Sequence, residues 1–151
     1  MSSERKVDPF SALILVISVI GIIMVAALLF AGFYLPGYGN RFACFGCEYS
    51  TDGDAAARII MIILLIAQIV LALNELVPQK FINIEFININ LIGMILSGLT
   101  ILFALIGIGA FGINYGAIDG FEWWPEAGFY GGIIAGIINV ILFTLKFLNK
   151  I

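Results

Sequence analysis

Residues 10–34 read FSALILVISVIGIIMVAALLFAGFY, a run interrupted only by Ser11, Ser18 and small residues. Crossing about 30 Å of hydrocarbon takes about 20 helical residues at about 1.5 Å each, so the run is long enough to span a bilayer. Three more runs follow. Ala55 to Val77 is apolar from Ile59 to Leu73 except for Gln68. Ile89 to Ile113 has Asn90, Ser97 and Thr100 as its polar members, and Gly128 to Leu145 has Asn139 and Thr144. Strands are excluded as the spanning elements, because a membrane barrel needs about eight or more short alternating segments. The first run is about ten residues longer than a signal-peptide h-region and lacks a small-x-small site, so it reads as a retained helix.

Composition agrees. Hydrophobic residues make up 62% of 151 positions and charged ones 11%, against about 25% charged in a soluble domain. A chain this short cannot hide so much apolar surface in its own core. Seven Lys or Arg against ten Asp or Glu leave no nucleic-acid footprint, and the absence of His removes the usual metal ligand and general base. The sequence therefore predicts an all-α integral membrane protein, one four-helix domain over residues 1–151, with its helices in an antiparallel bundle. The expected spans are about 10–34, 55–77, 89–113 and 126–147, joined by outer loops at 35–54 and 114–125 and a cytoplasmic loop at 78–88.

Orientation follows from the basic residues near the span ends. Arg5, Lys6, Lys80, Lys146 and Lys150 fall on one side, Arg41 and Arg58 on the other, which places both termini in the cytoplasm; the plasma membrane is the expected location. The opposite face is acidic, with Glu48, Asp52, Asp54, Asp119, Glu122 and Glu126. Tyr34, Trp123, Trp124 and Tyr130 stand where amphipathic rings favour the headgroup level. Asp52-Gly53-Asp54 begins like a calcium loop but lacks the closing Glu of that motif, so a solvated loop is expected. FINIEFININ (81–90) alternates like a strand, yet between two spans it is read as a tight turn whose Ile and Phe dip into the interface.

Small residues mark close helix packing. Gly128, Gly132 and Gly136 recur every four positions, and Gly93, Ser97, Gly112 and Gly116 form a similar set on the third helix. In lipid such faces let backbones approach. Packing of the third helix on the fourth is expected, with a seam to another subunit as the alternative. Gln68 and Asn139 are the deep polar groups, each expected to bond a neighbouring helix. No charge lies in the middle of a span.

Cys44 and Cys47 fall in the first outer loop among Pro36, Gly37, Gly39, Gly46 and Gly53. A disulfide pinning that loop is the leading reading, with a redox-active pair or a shared metal site as alternatives. Four helices with a Cys-x-x-Cys in the first outer loop resemble DsbB-type disulfide-generating membrane proteins, which implies quinone chemistry. Those proteins carry a second cysteine pair that 114–127 lacks, and Arg58 lies eleven residues past Cys47. Glu126, Gly128, Tyr130 and Gly132 in PEAGFYGG are similar to the start of the fourth helix in the claudin and peripheral-myelin-protein superfamily. That resemblance implies four helices, cytoplasmic termini and a cysteine pair in the first outer loop. A loop of about twenty residues is read as too short for that family's extracellular sheet.

The functional expectation is a non-enzymatic membrane protein acting by lateral association, either as an accessory subunit of a larger complex or as a claudin-like organiser. Its partners are the lipid bilayer and other membrane subunits or copies of itself. No catalytic set, cofactor motif or metal site is read. The alternatives are a quinone-linked thiol–disulfide oxidoreductase using Cys44 and Cys47, and a small oligomeric pore.

Overall fold

The computed structural model describes residues 6–45, 47, 50–115, 120 and 122–149. Its helices are α1 (Pro9–Ala27), α2 (Asp52–Leu76), α3 (Ile89–Tyr115) and α4 (Ala127–Asn149). All four are long and apolar enough to cross a membrane, which marks the chain as a multi-pass membrane protein. Each packs on two neighbours, α1 on α2 and α4, α3 on α2 and α4. The lipid-side belt exposes residues such as Val16, Ile23, Ile63, Ile95, Leu105 and Ile141, while Ser18, Gln68, Ser97, Thr100 and Asn139 are wholly buried.

Helix α1 starts with two local devices. The Asp8 side chain accepts from the Phe10 amide at 3.2 Å, and Pro9 occupies the first turn, where its missing N–H costs nothing. The helix stops at Ala27, not at Tyr34 as the apolar run suggests, because Leu28 turns extended. Ala31–Leu35 is strand β1, paired with β2 (Gly39–Ala43) and with β3 (Glu122–Pro125) in the order β2-β1-β3, both pairs antiparallel. A continuous apolar run does not distinguish a buried strand from a helix. Leu35-Pro36-Gly37-Tyr38 supplies the turn: Gly37 has φ 86°, and the Tyr38 amide closes on the Leu35 carbonyl at 3.0 Å. Pro then Gly with positive φ is the type II arrangement.

The all-α expectation is thus corrected by a three-stranded sheet at the end where α1 and α3 finish and α2 and α4 begin. The first loop is short, but the sheet takes only β2 from it. Its central strand comes from the end of the first apolar run and its third from the second loop.

Two apolar clusters fill the bundle. One lies beneath the sheet around Phe30, Phe33, Met61, Ala104, Phe111 and Phe129. The Phe33 ring stacks on Tyr115 at 5.3 Å and meets Phe111 at 5.5 Å. The other gathers Ile14, Leu71, Ala72, Leu142 and Phe143 at the opposite end. Between Leu76 and Ile89 the chain has no regular element. There the Asn74 amide acts as a surrogate strand, accepting from the Ile82 N–H at 2.7 Å and donating to its carbonyl at 3.2 Å.

Candidate functional site

The bundle core holds a polar network to which every helix contributes. Gln68 of α2 donates from Nε2 to Thr100 Oγ1 at 2.9 Å and to the Leu64 carbonyl at 3.2 Å. Its Oε1 accepts from the Ser97 hydroxyl at 3.0 Å and from Asn139 Nδ2 at 2.7 Å. Asn139 of α4 also donates to Ser18 Oγ of α1 at 2.8 Å. The Leu64 carbonyl can only accept, which fixes the Gln68 amide, and Gln68 Oε1 in turn fixes Asn139. Asn139 Oδ1 is buried and unpartnered. Thr100 and Ser97 also lie 2.9 and 2.7 Å from the carbonyls four residues back, Leu96 and Gly93. The sequence singled out Gln68 and Asn139; their union with Ser18, Ser97 and Thr100 depends on helix rotation and could not be read from it.

At the sheet end, Cys44 and Cys47 stand 5.1 Å apart at Cα, within bridging distance, and neither is free. Phe45 lies between them in sequence, and the Arg58 guanidinium sits 4.2 Å from its ring centroid and 5.3 Å from that of Phe30. Arg58 belongs to the second turn of α2, because the helix begins at Asp52. Its Nη2 donates to Asp54 Oδ2 at 2.7 Å and to Ser50 Oγ at 2.6 Å, while Nη1 has no partner. Both charged side chains are wholly buried.

The Asp52–Asp54 segment is therefore neither calcium loop nor solvated loop but a helix start. Thr51 accepts from the Asp54 amide at 3.1 Å and Asp54 reaches back to the Thr51 amide at 2.5 Å, a capping box. Asp54 leaves the expected acidic face. Glu48, Asp119 and Gly116, also named by the sequence reading, lie outside the described residues.

The small residues serve the interior. A methyl on Gly128 would stand 2.9 Å from the Leu29 carbonyl oxygen, and one on Gly132 would strike Met61. Gly136 faces Ile101 and the Ser97 carbonyl, Gly93 faces the Phe143 ring, and Gly112 faces Trp123. The α3–α4 contact thus uses Gly93 and Gly136, whereas Gly128 admits the chain leaving α1 and Gly132 admits α1 and α2.

The sheet's two faces differ. Ala31 and Phe33 point into the core, while Tyr34, Asn40 and Phe42 are exposed opposite them. Trp124 lies across Gly32, whose missing side chain makes room for the ring, and donates from Nε1 to Glu126 at 2.7 Å. The Glu126 amide in turn bonds the Phe30 carbonyl at 2.9 Å. Tyr38, Trp123 and Tyr130 are also exposed at this end.

At the other end, Lys146 is 5% exposed and bonds Asp8 Oδ2 at 2.7 Å and the Ser11 hydroxyl, tying α4 to the start of α1. Burial alone would raise the Asp8 carboxyl, but hydrogen bonds from Lys146 and Ser11 and the lysine's charge outweigh it and hold the group below its ordinary value of 3.8. Asn90 is buried with both amide atoms unpartnered.

Comparison with protein-family models, curated proteins and solved structures gives no match for this chain.

Proposed function

We propose that this chain is a non-enzymatic membrane protein that works by association, as a structural subunit of a larger membrane complex or a claudin-like organiser. In this reading the four helices form an antiparallel bundle in the plasma membrane, both termini are cytoplasmic, and the sheet faces outward. The observation that carries it is the destination of the deep polar groups. Gln68 and Asn139 direct their hydrogen bonds to Ser18, Ser97, Thr100 and each other, so they join helices instead of lining a passage. That leaves the outer sheet, with Tyr34, Tyr38 and Phe42 exposed, as the contact surface. Aromatic rings of this kind are enriched at protein interfaces. Glu126 and Gly128 join α4 to the exit from α1, which ties the sheet to the bundle.

Native mass spectrometry of the assembly, extracted from its source membrane in mild detergent, tests the proposal. Other polypeptides in the assembly are expected for a subunit and copies of the chain for an organiser; a bare monomer sinks both.

A second reading has its own observation. The fold brings Arg58 against Phe45 of the Cys-x-x-Cys loop, a proximity that the eleven-residue separation from Cys47 concealed. Arg58 thereby brings a cation to the loop that carries Cys44 and Cys47, and a cation close to a thiol favours thiolate, as a thiol–disulfide oxidoreductase passing electrons to a quinone requires. Under that reading, Cys44→Ser abolishes dithiol-dependent quinone reduction in reconstituted vesicles. Under the structural one there is no such activity to lose.

A further inference from the structure

The strand register arranges the sheet face turned away from the bundle in two rows. Asn40, Tyr34 and Glu122 stand side by side on β2, β1 and β3. One pleat along come Phe42, Gly32 and Trp124. Neighbouring strands lie about 4.8 Å apart and one pleat repeat is about 7 Å, so the six positions form a patch of roughly 10 by 7 Å.

The first row is polar and unengaged. All three of its residues are exposed, and among the described residues the Asn40 amide, the Tyr34 hydroxyl and the Glu122 carboxylate have no hydrogen-bond or ion-pair partner; only the Asn40 backbone carbonyl is used, by Arg41. The second row is apolar. Phe42 is 37% exposed, and Trp124 covers Gly32, three of its ring atoms lying within 2.9 Å of where a Gly32 Cβ would stand. The bond from Trp124 Nε1 to Glu126 holds that ring down. A complementary ligand has C–H groups on one face, which aromatic faces attract, and groups that both donate and accept along its edge. An anion would meet Glu122. A quaternary ammonium offers Asn40 nothing to bond, and a flat sheet face does not enclose it as an aromatic cage does. A sugar ring whose hydroxyls lie equatorial has both the C–H face and the hydroxyl edge.

We propose that this face of the sheet binds a neutral pyranose with equatorial hydroxyls. The ring packs on Phe42 and Trp124, and its edge is hydrogen-bonded by Asn40, Tyr34 and Glu122. The inference rests on the association reading above, in which the outer sheet is the contact surface, and gives that surface a glycan as its partner.

The test uses the full chain in nanodiscs of phosphatidylethanolamine and phosphatidylserine, free of sugar-based detergents, with methyl β-glucoside as the soluble probe. Saturation-transfer NMR should mark the ring C–H protons of the glucoside and leave choline unmarked. Asn40→Ala and Glu122→Gln each weaken a hydrogen bond to the sugar, so the Kd should rise about tenfold in either. Neither side chain has a partner among the described residues, so both variants should melt with the native chain; if one fails to fold, the other decides. Absence of saturation transfer to the glucoside overturns the proposal, as does a Kd that neither variant raises. Choline marked as strongly as the glucoside overturns the sugar assignment in favour of a cation. A glucosyl lipid in the same nanodisc that competes with the probe supports a glycolipid source, and failure to compete supports a free or protein-borne glycan. An assembly that forms but ignores the sugar removes this proposal alone, whereas a bare monomer that binds it removes the association reading alone.

Discussion

The central network makes an asymmetric prediction about its two amides. Replacing Gln68 by Leu removes three interhelical hydrogen bonds, to Thr100, Ser97 and Asn139, at near-constant volume. Such bonds contribute about 0.6 kcal/mol each in a bilayer, giving about 2 kcal/mol. Thr100 and Ser97 keep the carbonyls of Leu96 and Gly93, so neither hydroxyl is orphaned. Asn139 is less fortunate: one of its N–H donors loses its acceptor, which moves the cost toward about 3 kcal/mol. Asn139→Leu breaks two interhelical bonds, about 1.2 kcal/mol. It also deletes the buried, unpartnered Oδ1, a relief of about 1 kcal/mol or more. Losing Asn139 also strands the buried Ser18 hydroxyl, which offsets that relief, so the net cost is about 1 kcal/mol, still well below that of Gln68→Leu. The double variant should cost no more than Gln68→Leu alone, because removing Asn139 also removes the donor that Gln68→Leu strands. Unfolding free energies measured by steric trapping in bicelles read all three. The reasoning fails if Asn139→Leu costs as much as Gln68→Leu, or if the two costs simply add.

The glycines separate in the same way: Gly128→Ala, with carbonyl oxygens about 3 Å from the new methyl, should cost about 1–3 kcal/mol, whereas Gly98→Ala meets nothing within 4 Å and should be neutral or slightly stabilising. Thermal melts followed by circular dichroism in detergent would rank them, and equal effects would remove the case for intramolecular packing at Gly128. Asp54→Asn strands the buried Arg58 and should cost about 3–5 kcal/mol, much of it recovered in Asp54→Asn with Arg58→Met. A double variant as unstable as the single one would show that the charge is not the cause. Because the folded-state value of Asp8 lies below 3.8, its clasp with Lys146 is fully stabilising above about pH 4 and is lost as pH falls through the lowered value. Melting temperatures between pH 7 and pH 3 should therefore drop for the native chain. The part of that drop due to Asp8 should be missing from Asp8→Asn, and identical profiles for the two would contradict the clasp.

The four helices were legible from the sequence because a bilayer acts on residues one at a time. Hydrocarbon rejects each exposed polar group whatever its partner, so length and composition alone mark Ala55 to Val77 or Gly128 to Leu145 as spans. Local chemistry is also legible in the chain. Pro36-Gly37 before Gly39 is a turn signal between two strands, and Thr51-Asp52-Gly53-Asp54 is a variant of the capping box with Asp in the Glu position. What only the tertiary structure decided is pairing. Strand β1 continues an apolar run that helix and strand share, and it became a strand because Gly39–Ala43 on one side and Glu122–Pro125 on the other supply hydrogen bonds. Gln68 meets Asn139 across 71 positions, Asn139 meets Ser18 across 121, and Arg58 slides under Phe45. Each of these meetings depends on how two elements are rotated and placed in register. That is a property of pairs of segments, and no single segment carries it.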